Sequence, residues 1–212
     1  MSVESPTPAS RREARRLSRR DTILDVAGPY FLEHGYGGTT MSAVAAALGG
    51  SKGTLWSYFP SKEMLFAAVI ERASESFRAQ IAAILRPDKA LDVALHDVCC
   101  EQLRKVTSPD AIALHRLVAG AAGRFPEVGR IFYENAPRLT QRLIADYLEQ
   151  AMARGLLRRA DPLRAAQHLH ALCMSRSYQQ HLLGVIDDVT PEMIEADVAS
   201  ALETFVSGYG SS

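Results

Sequence analysis

An all-α fold of nine or ten helices is what this sequence predicts, and three observations carry the expectation. Alanine and leucine are abundant, apolar residues recur with a period of 3.6, and no stretch alternates like a strand. Pro87, Pro109, Pro126, Pro137, Pro162 and Pro191 stand where helices would start, and Gly123, Gly155, Gly184 and Gly208 where they would end. Short polar residues precede several of the apolar runs, as N-caps do.

Taken in order, residues 21–34 form the first helix, with Asp21 as N-cap, Gly35 as its stop and a kink at Gly28-Pro29. The loop GYGGT follows. Thr40 caps a helix over 41–48 whose apolar stripe is Met41, Val44, Ala45 and Leu48. Gly49-Gly50 turns the chain. Ser51 caps a helix over 52–58, and Phe59 before Pro60 ends it. Ser61 caps a long helix to about Leu85, and further helices fall near 88–106, 109–122, 126–135, 137–155, 162–184 and 191–208. Three regions result: a basic, flexible arm at 1–20, a small domain at 21–67 and a larger helical one at 68–209.

Composition narrows the class. Charged residues make up 23% and hydrophobic ones 47%, ordinary for a globular protein. No apolar run reaches 18 residues and no signal-peptide pattern opens the chain, so neither a membrane partner nor secretion is expected. Cys99, Cys100 and Cys173 are an odd set without CxxC spacing, which fits free thiols in a cytoplasmic protein. The net charge of zero hides an asymmetry: residues 1–62 hold eight Arg/Lys against five Asp/Glu, with six arginines in the first twenty positions. A basic front end is the footprint of a polyanion-binding segment, although a solvated tail leaves the same mark.

The stretch SKGTLWSYFPSKEMLF, residues 51–66, is the most informative. Two helices of about two turns each, joined at Gly49, have the layout of a helix-turn-helix, in which the second helix enters the DNA major groove. Lys52 and Lys62 each open a helix beside a serine, where the helix dipole disfavours a cation by about 0.3–1 kcal/mol. Both make sense if the helix ends face phosphates. Gly53 costs roughly 1 kcal/mol within a helix, and close approach to DNA is a reason for it. Trp56 and Tyr58 are two apart and point different ways, so Trp56 is expected across the sugar-phosphate while Leu55 and Phe59 enter the core.

Residues 23–69 resemble the DNA-binding domain of the TetR family of transcriptional repressors, through Gly35-Tyr36, Thr39-Thr40, Val44-Ala45, Gly49, Ser51-Lys52-Gly53-Thr54-Leu55, Tyr58-Phe59 and Lys62-Glu63, in register without a gap. The resemblance implies a two-fold dimer on double-stranded DNA with a palindromic operator. It places Thr40, Ser42, Ser51, Lys52, Gly53, Thr54, Trp56, Ser57, Tyr58 and Lys62 near the DNA. The sequence departs from the family at Gly50, usually valine, and Trp56, usually tyrosine. Ser42, Ala43 and Ala46 occupy positions that are often charged, so specificity leans on 51–57 and on the arginine arm.

Residues 115–172 are similar to the C-terminal domain of AefR- and AcrR-like members. That implies a domain for dimerisation and for capture of a small hydrophobic or aromatic effector. The helices at 162–184 and 191–208 would pair with their copies through His168, Ala171, Leu172, Ser175, Gln179, Leu202 and Phe205. An effector pocket between the 61–85 helix and those at 88–135 would draw on Phe66, Phe77, Ile81, Leu95, His96, Cys99, Leu103, His115, Leu117, Phe125 and Phe132.

Enzyme motifs do not survive inspection, and no cofactor is expected. GGSKGT lacks the GKS/T of a phosphate loop and follows a helix. His168 and His170 point about 200° apart, and His96 with Cys99 at i,i+3 makes only two ligands, so no metal site is expected either. The function expected is a repressor released by its effector, with the 61–85 helix as lever. A DNA-binding activator or architectural protein without an effector is the alternative, and an enzyme that merely carries a helix-turn-helix is the more distant rival.

Overall fold

The computed structural model of the chain describes residues 8–49 and 52–211. Eleven helices are present among them: α1 (Pro8–Gly38), α2 (Met41–Ala47), α3 (Lys52–Tyr58), α4 (Lys62–Ile84), α5 (Leu91–Thr107), α6 (Pro109–Ala122), α7 (Pro126–Asn135), α8 (Pro137–Ala153), α9 (Pro162–Cys173), α10 (Ser177–Leu182) and α11 (Pro191–Tyr209). The only extended pairing among the described residues is an isolated bridge between Leu157 and Gly210. No helix among the described residues is long and apolar enough to cross a membrane.

Five of the expected proline starts hold, at α6, α7, α8, α9 and α11. Proline is at no loss there because the first N–H groups of a helix lack internal partners anyway. Hydroxyl and carboxylate caps supply others: Thr40 accepts from the Ala43 N–H, Ser61 from Met64 and Asp161 from Leu163 and Arg164.

Three expectations need correction. The first helix does not start at Asp21; α1 begins at Pro8 and the described part of the basic arm is helical. No glycine or proline interrupts residues 9–27, and a run of good helix formers with nothing to stop it continues. The kink expected at Gly28-Pro29 does not take the backbone out of the helix, whereas Gly35, the expected stop, leaves it with φ +69° and ψ 168°. Pro29 and Asp25 are both exposed, so water can satisfy the carbonyl that the proline frees. The helix expected at 162–184 is two, α9 and α10. Arg176, with φ −131° and ψ −89°, separates them. The buried Asp197 of α11 holds that break: its carboxylate accepts the Ser177 N–H at 3.1 Å and pairs with Arg176 at 2.7 Å.

Apolar side chains gather in two clusters. One joins Phe31, Tyr36, Val44, Leu55, Phe59, Leu65 and Phe66 of α1–α4 and the residue that follows α3 to Val118 and Val128 of α6 and α7. The other is built from α4, α5, α8, α9 and α11 around Ile81, Val98, Leu148, Leu169 and Phe205. The first cluster therefore reaches past residue 67, since α6 and α7 pack into it. The three cysteines are free and buried.

Candidate nucleic-acid interface and ligand cavity

Aromatic packing fixes how α2 and α3 are presented. Phe31 meets Phe66 edge-on at 5.0 Å and stacks with Tyr36 at 6.0 Å, and Phe125, just before α7, meets Tyr36 at 5.5 Å. Leu55 and Phe59 are buried as expected. With those anchored, the opposite side of α3 turns to solvent. Gly53 and Ser57 are exposed, Thr54 and Tyr58 half-buried, and Trp56 retains 37% of its surface. Thr40 and Ser42 are exposed on the same small domain. A Cβ added at Gly53 would meet nothing within 4 Å, so internal packing does not require the glycine. Ser57 donates to the Thr54 carbonyl at 2.7 Å, which fixes its hydroxyl. Ser51 and the side chain of Lys52 lie outside the described residues, as do residues 1–7 of the arm.

Lys62 behaves differently from a bare cation at a helix start. Its ammonium donates to the Tyr36 carbonyl at 3.0 Å and sits 4.2 Å above the Tyr36 ring and 5.7 Å from that of Phe125. These partners are uncharged, so the positive charge persists while its position is set. The Tyr36 hydroxyl donates to Glu63, 3.3 Å away. The Glu63 carboxyl is held below its ordinary range by its own backbone N–H and by Ser61, with smaller help from Tyr36 and Lys62.

A cavity of about 230 Å³ opens in the larger domain, between α4, α5, α6 and the segments carrying Phe132, Thr140, His170 and Tyr178. Of the eleven residues expected there, Phe77, His115 and Phe132 line it. Phe66 belongs to the small-domain core, and Ile81, Leu95, Cys99 and Leu103 are buried in the other cluster. Leu117 packs against the first cluster, Phe125 covers Tyr36, and His96 faces Glu195. The sequence reading missed Gln102, His170 and Tyr178, which supply the polar side of the cavity. Tyr178 lies on α10, which the sequence reading ran together with α9 as one helix, and for Gln102 and His170 helical spacing alone does not tell a cavity wall from core.

The His115 Nδ1 lies 2.9 Å from the Tyr178 hydroxyl, and Gln102 contacts His170 through its amide nitrogen. Burial drives the His115 pKa down to about 4, with His170 and Lys105 adding to the shift, and burial lowers His170 as well. Both imidazoles are neutral at pH 7. Gln102 is 2% exposed and its Oε1 has no hydrogen-bond partner among the described residues. The cavity thus combines the rings of Phe77, Phe132 and Tyr178 with the neutral groups of Gln102, His115 and His170 and with one charge of each sign, on Lys105 and Asp110.

Of the residues expected at a dimer contact, His168, Ala171, Ser175 and Gln179 are exposed, and Leu172 and Leu202 half-buried. Phe205 is a correction: it is 1% exposed and stacks on Tyr209 at 4.8 Å inside the core. It follows Leu202 by three positions, and α11 turns that face toward α5 and α9. His168 is tied to Tyr209 by a 2.7 Å hydrogen bond.

A short helix carried on a three-helix aromatic core, with a second helical body behind it, defines a helix-turn-helix DNA-binding regulator. Comparisons with known proteins agree. The model for bacterial regulatory proteins of the tetR family matches residues 23–69, and that for the AefR-like transcriptional repressor C-terminal domain matches 93–211. The chain belongs to the TetR family. It is similar to the HTH-type transcriptional repressor ComR of Escherichia coli strain K12, with 31% identity over 139 residues, 64% of this chain and 66% of that protein. Among solved structures it is similar to the flavonoid-responsive regulator FrrA, at 35% identity and a TM-score of 0.80, covering 91% of this chain and 97% of that one. A putative TetR-family regulator from Mesorhizobium loti MAFF303099 matches at 25% identity and a TM-score of 0.78, covering 91% and 98%.

Proposed function

We propose that this regulator is a homodimeric repressor that leaves a palindromic operator when a small, uncharged aromatic molecule enters the cavity. One observation carries the coupling. Leu114, Phe132 and Ala136 line the cavity and also pack against the apolar cluster that holds Leu55 and Phe59 in place. A ligand pressing on those three residues acts on the seat of α3. It need only prefer the form with misplaced recognition helices, and a tenfold loss of operator affinity requires ~1.4 kcal/mol of such preference.

The chemistry of the cavity supports the ligand class. A cavity of roughly 150 Å³ holds benzene, so about 230 Å³ admits a molecule of one to two rings. Neutral His115, Tyr178 and Gln102 suit hydroxyl or carbonyl substituents, and Lys105 and Asp110, which also line the cavity, carry opposite charges and so favour no net charge on the ligand. FrrA is by name flavonoid-responsive, which points the same way. Dimerisation through α9 and α11 is supported by the exposed Leu163 and Val206 on those helices, with Ala171 and the half-buried Leu202 nearby. Two recognition helices then meet half-sites about 34–36 Å apart, or a multiple of that.

Fluorescence anisotropy on duplexes selected from a random pool tests the reading. The selected site should be palindromic, and a panel of flavonoids and simple phenols should contain members that release it. Phe132→Ala should blunt release by more than it changes DNA affinity. Selection of asymmetric sites, or an equal response in Phe132→Ala, would refute it.

A further inference from the structure

Three metal-binding side chains meet away from the cavity, and the TetR reading uses none of them. α5 carries His96 and Cys100 one turn apart, at i,i+4, which sets them on one face. α11 brings Glu195 against that face. The His96 Nε2 lies 2.9 Å from one Glu195 oxygen, and the Cys100 sulfur lies 3.6 Å from the other and 3.8 Å from Nε2. The three ligand atoms all fall within 4.8 Å of one another.

Those separations are within a side-chain rotation of a coordination shell. Zinc held by nitrogen and oxygen at about 2.0–2.1 Å and by sulfur at about 2.3 Å has tetrahedral edges of roughly 3.3–3.6 Å. The two edges that involve sulfur are close to this, but Glu195 meets the sulfur with Oε1 and the imidazole with Oε2, and the sulfur is also 3.9 Å from Nδ1. The carboxylate and the ring must therefore both turn for one oxygen and Nε2 to share an ion. Behind the imidazole, Asp97 places Oδ1 3.5 Å from His96 Nδ1, and Lys89 pairs with the other Asp97 oxygen at 2.5 Å. A carboxylate on the far ring nitrogen is the usual companion of a metal-bound histidine, because it fixes the tautomer and aims the near nitrogen at the ion. Cys100 is buried, whereas the side chains of His96 and Glu195 are 43% and 52% exposed. An ion can therefore enter from solvent and keep a water as its fourth ligand.

We propose that His96, Cys100 and Glu195 form a three-ligand site for a zinc-class divalent cation that ties α5 to α11. The mixed donor set selects the class: magnesium and calcium prefer oxygen alone, and copper(I) prefers several sulfurs. The expectation of no metal site rested on pairing His96 with Cys99. In the structure Cys99 turns into the core, and Cys100 is the sulfur beside the imidazole.

Cobalt(II) is the probe, titrated into tag-free, chelator-stripped, reduced full-length chain. One equivalent should bind per chain, with intense visible bands of tetrahedral geometry and a thiolate-to-cobalt absorption in the near ultraviolet, and zinc should displace it. Cys100→Ser should abolish the thiolate band, while Cys99→Ser leaves it. His96→Gln and Glu195→Gln, at half-exposed positions that spare the fold, should each weaken binding by at least about tenfold, and Asp97→Asn by about 10–100-fold. Absence of the thiolate band at one equivalent, its survival in Cys100→Ser, or unchanged affinity in both His96→Gln and Glu195→Gln would overturn the site.

Discussion

The aromatic nest under the recognition helix and the walls of the cavity are built on opposite terms. In the nest, Phe31, Tyr36, Phe66 and Phe125 fill space ring against ring, and the side chains of Phe31, Tyr36 and Phe66 are almost fully buried. Around the cavity, Phe77 and Phe132 face open volume, neutral histidines sit without charge, and a buried glutamine oxygen has no hydrogen-bond partner among the described residues. A reader of DNA has to hold α3 still. A receptor gains from walls that can shift, because close-packed regions transmit strain while loosely filled ones absorb it.

Truncation should separate the two regions most strongly. Phe66→Ala removes a ring in contact with two others and should cost ~3–5 kcal/mol in urea denaturation. Phe77→Ala deletes a wall that already lacks partners on one side and should cost about half as much. Equal losses would mean that the cavity is as tightly supported as the nest.

Acid should then distinguish them by sign. The folded His115 pKa of about 4 lies below the ordinary histidine value of about 6.5. Between those values the unfolded chain binds more protons than the folded one. The stability is fully present above about pH 6.5 and falls as the pH drops toward 4, by up to about 3 kcal/mol. His170, also lowered by burial, acts in the same sense. In His115→Asn the loss of stability between pH 7 and pH 4.5 should shrink, whereas Phe66→Ala should leave it unchanged. A wild-type slope in His115→Asn would place the acid sensitivity elsewhere.

The short helices above the nest were legible in the sequence because their information is local, although the nest itself takes Phe125 from a distant segment, and both Phe66 and Phe125 were expected at the cavity. Thr40, Ser61, Gly49 and the run Leu55–Pro60 each act on their own turn, and the positions of α2, α3 and α4 follow. The cavity was not, because its polar members come from distant segments. Tyr178 reaches His115 only because the chain breaks after α9, and that break is held by Asp197, twenty positions beyond Ser177. A helix drawn through 162–184 cannot make that turn. The start of α1 was misplaced for a different reason: Asp21 has the chemistry of a cap, but good helix formers precede it, so the helix runs on.

Lys62 stands at the rim of the nest, where its ammonium spans Tyr36 and the Phe125 ring beside α7. If it also meets a phosphate, Lys62→Met should weaken binding to all duplexes about equally and lower the salt slope by about one. A salt slope equal to wild type, with lowered thermal stability, would confine Lys62 to holding the nest together.

The smallest effect on stability belongs to Gln102→Leu, and it tests the comparison at its finest point. The substitution removes an oxygen whose burial without a partner costs about 1–3 kcal/mol, and it strips His170 of the amide that contacts it, a loss of similar size. The two nearly cancel, so urea denaturation should change by less than about 1 kcal/mol. Ligand response should not be spared. A hydroxylated ring can donate to Gln102 Oε1 and an unsubstituted ring cannot, so release of DNA by phenols should weaken in Gln102→Leu while release by the bare hydrocarbon ring holds or strengthens. Equal weakening for both ligands would show that the glutamine shapes the cavity without reading its contents. The polar side would then belong to the scaffold, and the contrast with the aromatic nest would reduce to packing density.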